Sequence, residues 1–157
     1  MKKFSVLFVC LGNICRSPAA EAIFISFLER NGLTDGFIVD SAGTGSWHIG
    51  KKADSRMRIA AERRDINILS RARQIKNSDF DEFNYILAMD DSNFRNIQDL
   101  KHRTASTDFA SIKKMQDFRS IFHEQEVPDP YFGGDEGFDY FLDILEDSVN
   151  GFLESIS

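Results

Sequence analysis

Residues 4–18 read Phe4-Ser5-Val6-Leu7-Phe8-Val9-Cys10-Leu11-Gly12-Asn13-Ile14-Cys15-Arg16-Ser17-Pro18. Phe4 to Val9 is a short apolar run rich in β-favouring residues, the pattern of a buried parallel strand. A turn containing Gly12 follows, and Ser17-Pro18 then reads as the N-cap and first position of a helix. That helix continues through Ala19, Ala20, Ile23, Phe24, Phe27 and Leu28, with Asn31-Gly32 as its stop. Its apolar residues fall on more than one face, which predicts deep burial.

The alternation continues outward. Phe37-Ile38-Val39 reads as a second strand before the turn-rich stretch Ser41 to Gly50. Asp54 is placed to cap a helix running to about Ile66. Tyr85 to Met89 is a third buried strand ending at Asp90, and Asp91 to Leu100 is a helix. Between residues 101 and 124 the pattern is ambiguous: a short strand fits near Thr107 to Phe109, and Ser111 to Phe122 has helical spacing. Phe138, Phe141, Leu142, Leu145, Val149, Phe152 and Leu153 form one helical stripe. Strands alternating with helices predict an α/β fold with a parallel sheet and right-handed crossovers. In such sheets ligands bind beyond the carboxyl ends of the strands, and Cys10, Ser41 and Asp90 each fall at such an end.

Bulk composition narrows the classes. The 157 residues suit one domain, 1–157, and the 15 Phe can fill much of its core. A formal charge of −6 leaves no basic footprint for nucleic acid. A small anionic substrate would therefore need a local positive site. The start is basic and then apolar, like a signal peptide, but the apolar part is short and a polar motif follows at once. No apolar run approaches the roughly 20 residues needed to span a bilayer. No membrane association and a cytoplasmic location are the expectations. Cys10 and Cys15 are the only cysteines and the three His lie far from them, so no metal site and no cofactor are expected. A structural disulfide is disfavoured in a reducing compartment, although two cysteines this close can pair on oxidation.

The stretch Cys10-Leu11-Gly12-Asn13-Ile14-Cys15-Arg16-Ser17 places five residues between Cys and Arg, between a strand and a helix. A loop of this length can curl so that its backbone N–H groups converge on one centre and bind an anion. The following helix adds its unpaired N–H groups and positive dipole end. Arg16 supplies a planar fork for two phosphoryl oxygens, and Gly12 permits a close backbone approach. Cys10 then sits at the base of the anion hole, where the same field favours thiolate over thiol. A thiolate beneath a bound phosphate is aligned for in-line attack and a phosphocysteine intermediate, with equatorial charge held by the loop amides and Arg16. The leaving group needs a proton. Asp129, stiffened between Pro128 and Pro130, is the candidate acid, and as carboxylate it could next activate water.

These residues, together with Asp40-Ser41-Ala42-Gly43-Thr44, Ala72-Arg73-Gln74-Ile75, Tyr85 to Asp90 and Pro128-Asp129-Pro130-Tyr131, resemble the low-molecular-weight protein tyrosine phosphatases. The blocks occur in the family's order and span most of the chain. The resemblance implies a three-layer α/β/α fold with a four-stranded parallel, Rossmann-like sheet of the phosphotyrosine phosphatase I type. It implies Cys10 as nucleophile, Arg16 as phosphate ligand and Asp129 as general acid and base. It further implies that Ser17 hydrogen-bonds the thiolate, and that Asn13 props the loop in a strained conformation. Cys15 matches a second cysteine that can pair reversibly with Cys10 under peroxide. Leu11, Ile14, Trp47, His48 and Tyr131 match the walls of the substrate cleft; Gly12 and Cys15 complete the phosphate loop. The implied partner is a phosphotyrosine-containing protein or peptide, with phosphate as product and the enzyme a monomer. Two positions depart from the family. Ser70 stands where a His is frequent, so the support of Asn13 is expected to differ. The stretch from His102 to Glu126 is longer and more charged than usual.

Other functions share this loop. Arsenate reductases need a further relay cysteine, which this chain lacks beyond Cys15. Protein-arginine phosphatases resemble the loop with Thr in place of Ile14; Ile14 and Tyr131 instead suit a flat aryl ring. A phosphocarrier or phosphopeptide-binding module would gain nothing from the acid Asp129, and pure binding would not require Cys10.

Overall fold

The computed structural model of the chain describes residues 4–104, 109–119 and 134–156. Strand β1 spans Phe4–Cys10, helix α1 Arg16–Arg30, strand β2 Phe37–Gly43, helix α2 Ser55–Glu62, a short helix α3 Asp79–Glu82, strand β3 Tyr85–Ala88, helix α4 Asp91–Arg103, strand β4 Ser111–Lys114 and helix α5 Gly134–Ile156. All pairings of the sheet are parallel, in the order β2-β1-β3-β4. Chain order reverses direction across β1, with β2 on one side and β3 on the other. That puts the topological switch point at the carboxyl ends of β1 and β3, where open α/β sheets place their ligands.

Side chains of β1 alternate between two cores. Val6, Phe8 and Cys10 pack with α1, α2 and α5, whereas Leu7 and Val9 pack with Phe80, Phe83 and Ile97 on the opposite face. This gives the three layers. The α1–α5 side is the larger and is built on aromatic edges: Phe24 meets Phe8 and Phe152 at 5.7 Å between ring centroids, and Phe152 meets Phe118 at 5.2 Å. Each fully buried Phe contributes about 1.5–3 kcal/mol of burial. The C-terminal stripe therefore forms core, as its spacing predicts. No helix among the described residues is long and apolar enough to cross a membrane.

Four local expectations are corrected. Helix α1 starts at Arg16 with Cys15 at the N-cap, so Ser17 is not the cap and Pro18 is not the first helical position. The Ser17 hydroxyl is turned to Cys10, and Pro18 still sits in the first turn, where N–H groups have no intrahelical partner. Asp54 does cap α2, accepting from the N–H groups of Arg56 and Met57, but the helix stops at Glu62 rather than near Ile66. Asp65 takes a left-handed φ of 60°, which returns Ile66 to the core. The fourth strand lies at Ser111–Lys114, where it replaces the first turn of the expected 111–122 helix. Of the strand expected near Thr107 to Phe109, Phe109 is exposed and outside any strand, while residues 107 and 108, like 120–122, lie outside the described residues. Met115–Phe118 is a 3₁₀ turn instead, whose threefold repeat puts Met115 and Phe118 on the same side against α5. Helix α4 runs on to Arg103, past the expected end at Leu100.

Candidate active site

The Cys10–Arg16 loop joins the last residue of β1 to the first of α1. Its carbonyls are engaged from outside: Thr44 N–H donates to Cys10 O at 2.9 Å, Gly45 N–H to Leu11 O at 2.9 Å and Asp54 N–H to Ile14 O at 2.6 Å. With these oxygens turned outward, the loop's interior is left to N–H groups. Asn13 N–H points inward and reaches Cys10 Sγ at 3.3 Å. Ser17 Oγ lies 3.0 Å from the same sulfur. Gly43 makes the packing possible, since a Cβ there would lie 2.7 Å from the carbonyl oxygen of Leu11.

Asn13 holds the loop in shape. It adopts φ 55°, an uncommon left-handed backbone for a residue with a Cβ, as expected of the strained loop asparagine. Its Nδ2 donates to Ser17 Oγ at 2.8 Å and to Ser41 Oγ at 3.0 Å, while its Oδ1 accepts Arg73 N–H at 2.9 Å. Ser41 in turn donates to Glu21 Oε1, and Ser70 hydrogen-bonds Glu21 rather than Asn13. Burial, and after it the Asp40 carboxylate, push the Glu21 carboxyl above its usual range against the hydrogen bonds from Ser41 and Ser70.

Arg73 is anchored in its own right. Its Nε donates to Asp40 at 2.9 Å, and its two terminal nitrogens grip Asp79 at 3.0 and 3.1 Å. Burial disfavours its charge, but Asp79 and Asp40 outweigh burial and hold the guanidinium above its ordinary range. Asp90 Oδ1 caps α4 on Asn93 N–H at 2.6 Å, and its Oδ2 accepts Arg16 Nη1 at 2.7 Å. One carboxylate thus spans the switch point and aims the Arg16 guanidinium.

Cys10, Leu11, Gly12, Ile14, Cys15, Arg16, Trp47 and His48 line one cavity of about 300 Å³. These are residues the sequence singled out, brought together from the loop and the 44–50 turn. Asn13 and Ser17 lie behind it, fully buried. Both cysteines are free and buried. His48 Nδ1 and Thr44 Oγ1 are buried without a partner among the described residues. Asp129 and Tyr131 lie outside the described residues, as does the acid turn as a whole. The sequence left Glu21, Arg73 and Asp79 without a role, and did not pair Asp90 with Arg16. Their only local signal is polarity at positions where the chain is otherwise closing a core.

Comparison with known proteins agrees with this geometry. The family model described as low molecular weight phosphotyrosine protein phosphatase matches residues 5–157. The low molecular weight phosphotyrosine protein phosphatase of Schizosaccharomyces pombe is 42% identical over 158 residues, covering 99% of each chain. Among solved structures, a protein tyrosine phosphatase from Entamoeba histolytica superposes with a TM-score of 0.91 at 44% identity, covering 98% of this chain and 97% of that one. A drosophila arginine phosphatase superposes with a TM-score of 0.91 at 32% identity, covering 100% and 98%. With this loop, this sheet order and these relatives, the chain belongs to the low molecular weight phosphotyrosine protein phosphatases and is an enzyme of that family.

Proposed function

We propose that the chain hydrolyses phosphotyrosine in proteins or peptides by a two-step phosphocysteine mechanism. The observation that carries this is the Cys10 sulfur at the floor of an inward-facing amide loop, 3.3 Å from the Asn13 nitrogen and 3.0 Å from Ser17 Oγ. In the first step the Cys10 thiolate attacks phosphorus in line. The S–P bond forms, the P–O bond to the tyrosyl oxygen breaks, and that oxygen takes the electron pair and a proton from Asp129. Asn13 N–H and the Ser17 hydroxyl stabilise the thiolate. Arg16, aimed by Asp90, and the loop amides hold the equatorial oxygens as their charge grows. In the second step Asp129 as carboxylate takes a proton from water, whose oxygen attacks phosphorus. The S–P bond breaks, sulfur recovers its pair and inorganic phosphate departs.

Leu11, Ile14 and the exposed ring of Trp47 supply apolar walls suited to a flat aryl group, with His48 and Tyr131 as further contacts. Cys15, in the same cavity, is assigned to reversible pairing with Cys10 under peroxide. The enzyme is read as a monomeric, single-domain, cytoplasmic protein. Arginine phosphatase activity is the second reading, because the drosophila arginine phosphatase superposes as well as the Entamoeba tyrosine phosphatase. Ile14 weighs against it, since a phosphoguanidinium prefers a polar wall. Turnover of phosphotyrosine, phosphoserine and phosphoarginine peptides side by side decides between them; a preference for phosphoarginine sinks the tyrosine reading. Asp129→Asn is expected to slow poor leaving groups far more than good ones, and equal slowing removes Asp129 from the acid role.

A further inference from the structure

We propose that a second groove, sharing the Trp47 wall of the phosphate pocket, seats a residue flanking the phosphotyrosine of a substrate and selects an acidic one. This rests on the phosphotyrosine reading above. Trp47 and Leu11 line the pocket over Cys10 and also a groove of about 460 Å³ that extends to α4. Within the groove Ile75 and Leu100 continue the apolar wall, and Arg103 supplies a cation. Trp47 is 69% exposed and Leu11 47%, so a substantial apolar surface lies uncovered beside the site.

The continuity of the two spaces names the occupant. An aryl phosphate that descends between Leu11, Ile14 and Trp47 leaves its main chain at the rim. An extended chain advances about 3.3 Å per residue, so a side chain one or two positions away crosses Trp47 into the groove. Charge names the preferred side chain. The Arg103 side chain is exposed and forms no ion pair or hydrogen bond with another described side chain, not even with the carboxylate of Asp99 one helical turn earlier. The chain as a whole carries a charge of −6, so this local cation is what lets an acidic peptide approach on that side. Asp99 lines the same groove and opposes it, which makes the pair a tuner of selectivity.

The test is the kcat/KM of a series of phosphotyrosine peptides in which a single Glu is moved through the flanking positions, with p-nitrophenyl phosphate beside them. One position is expected at which Glu raises kcat/KM over Ala by about 2–5-fold, the size of an exposed charge pair. Arg103→Glu should erase that preference, Arg103→Lys should retain part of it, and Asp99→Asn should enlarge it. Turnover of p-nitrophenyl phosphate, too small to cross Trp47, should be the same in all of them. An unchanged peptide ranking in Arg103→Glu overturns the proposal, as does a parallel loss on peptides and p-nitrophenyl phosphate. If the unaltered enzyme hydrolyses p-nitrophenyl phosphate but none of the phosphotyrosine peptides, the phosphotyrosine reading itself fails.

Discussion

The loop from Cys10 to Arg16 and the rim from Thr44 to Lys52 face the same pocket but are held in opposite ways. In the loop, Cys10, Asn13, Cys15 and the adjoining Ser17 are buried, and the side chains of Asn13 and Ser17 are committed to other named groups. In the rim, Trp47 and Ile49 stand exposed, and His48 Nδ1 has no partner among the described residues. Under the proposed function the difference separates two tasks. Stabilising a transferring phosphoryl group needs donors fixed before the reaction, so the loop is over-determined. Recognising the group attached to the phosphate needs surface, so the rim leaves apolar area uncovered.

The sharpest way to break the comparison is within the loop. Cys10→Ser is expected to lower kcat by about 10⁴-fold or more, because the covalent step disappears, while phosphate still binds the intact amides and Arg16. Equilibrium phosphate binding together with p-nitrophenyl phosphate turnover checks this; near-normal turnover would remove Cys10 as nucleophile. Asn13→Ala comes next. It removes three hydrogen bonds and leaves a methyl side chain at φ 55°. A loss of about 10²-fold in kcat/KM and about 2–3 kcal/mol of stability is expected. Asn13→Gly tolerates the backbone but loses the same bonds, so its recovery relative to Ala measures the strain alone. Equal behaviour of the two would mean that φ at this position stores nothing.

The loop was legible in the sequence because it is contiguous: strand, Cys, five residues, Arg and helix are all read within residues 4–30. Even there the local pattern reads Ser17 as the helix cap, and only the family resemblance turns its hydroxyl to the Cys10 sulfur, where it lies; a Ser at a strand-to-helix turn looks the same in either case. The sheet was legible where strands are buried on both faces, as in β1 and β3. The fourth strand was not, because β4 is a short edge strand with lysines at its end, and the Met115–Phe118 spacing of three imitates a helix. The scaffold behind the loop was illegible for a different reason. Arg73 meets Asp40 across 33 positions and Arg16 meets Asp90 across 74, and no local pattern announces such pairs.

On the rim, smaller effects are expected. Trp47→Ala should raise KM for an aryl phosphate about 2–10-fold, the worth of one aromatic contact, with little change in kcat. Inhibition by inorganic phosphate, which has no ring to lose, should stay the same. Stability should also hold, because the ring is already mostly in solvent. Weaker phosphate inhibition in this variant would mean that the rim supports the loop after all, and that the two regions are not independent.

The smallest effect tests how far the over-determination of the loop extends. Glu21 ends the chain of hydrogen bonds from Cys10 through Ser17, Asn13 and Ser41, and its carboxyl is raised above the ordinary value of 4.5 chiefly by burial. A raised carboxyl holds its proton more tightly folded than unfolded. Between the ordinary and the raised value the folded state therefore carries more protons, and stability falls as pH climbs through that window. Below it the group is neutral in both states and this penalty is absent. Glu21→Gln keeps an oxygen to accept from Ser41 but does not ionise. Its stability relative to the unaltered protein should therefore rise with pH across the window and level off above it, as read from urea midpoints at a series of pH values. An offset independent of pH would mean that Glu21 carries no titration cost, and that the buried network ends in an acceptor indifferent to its charge.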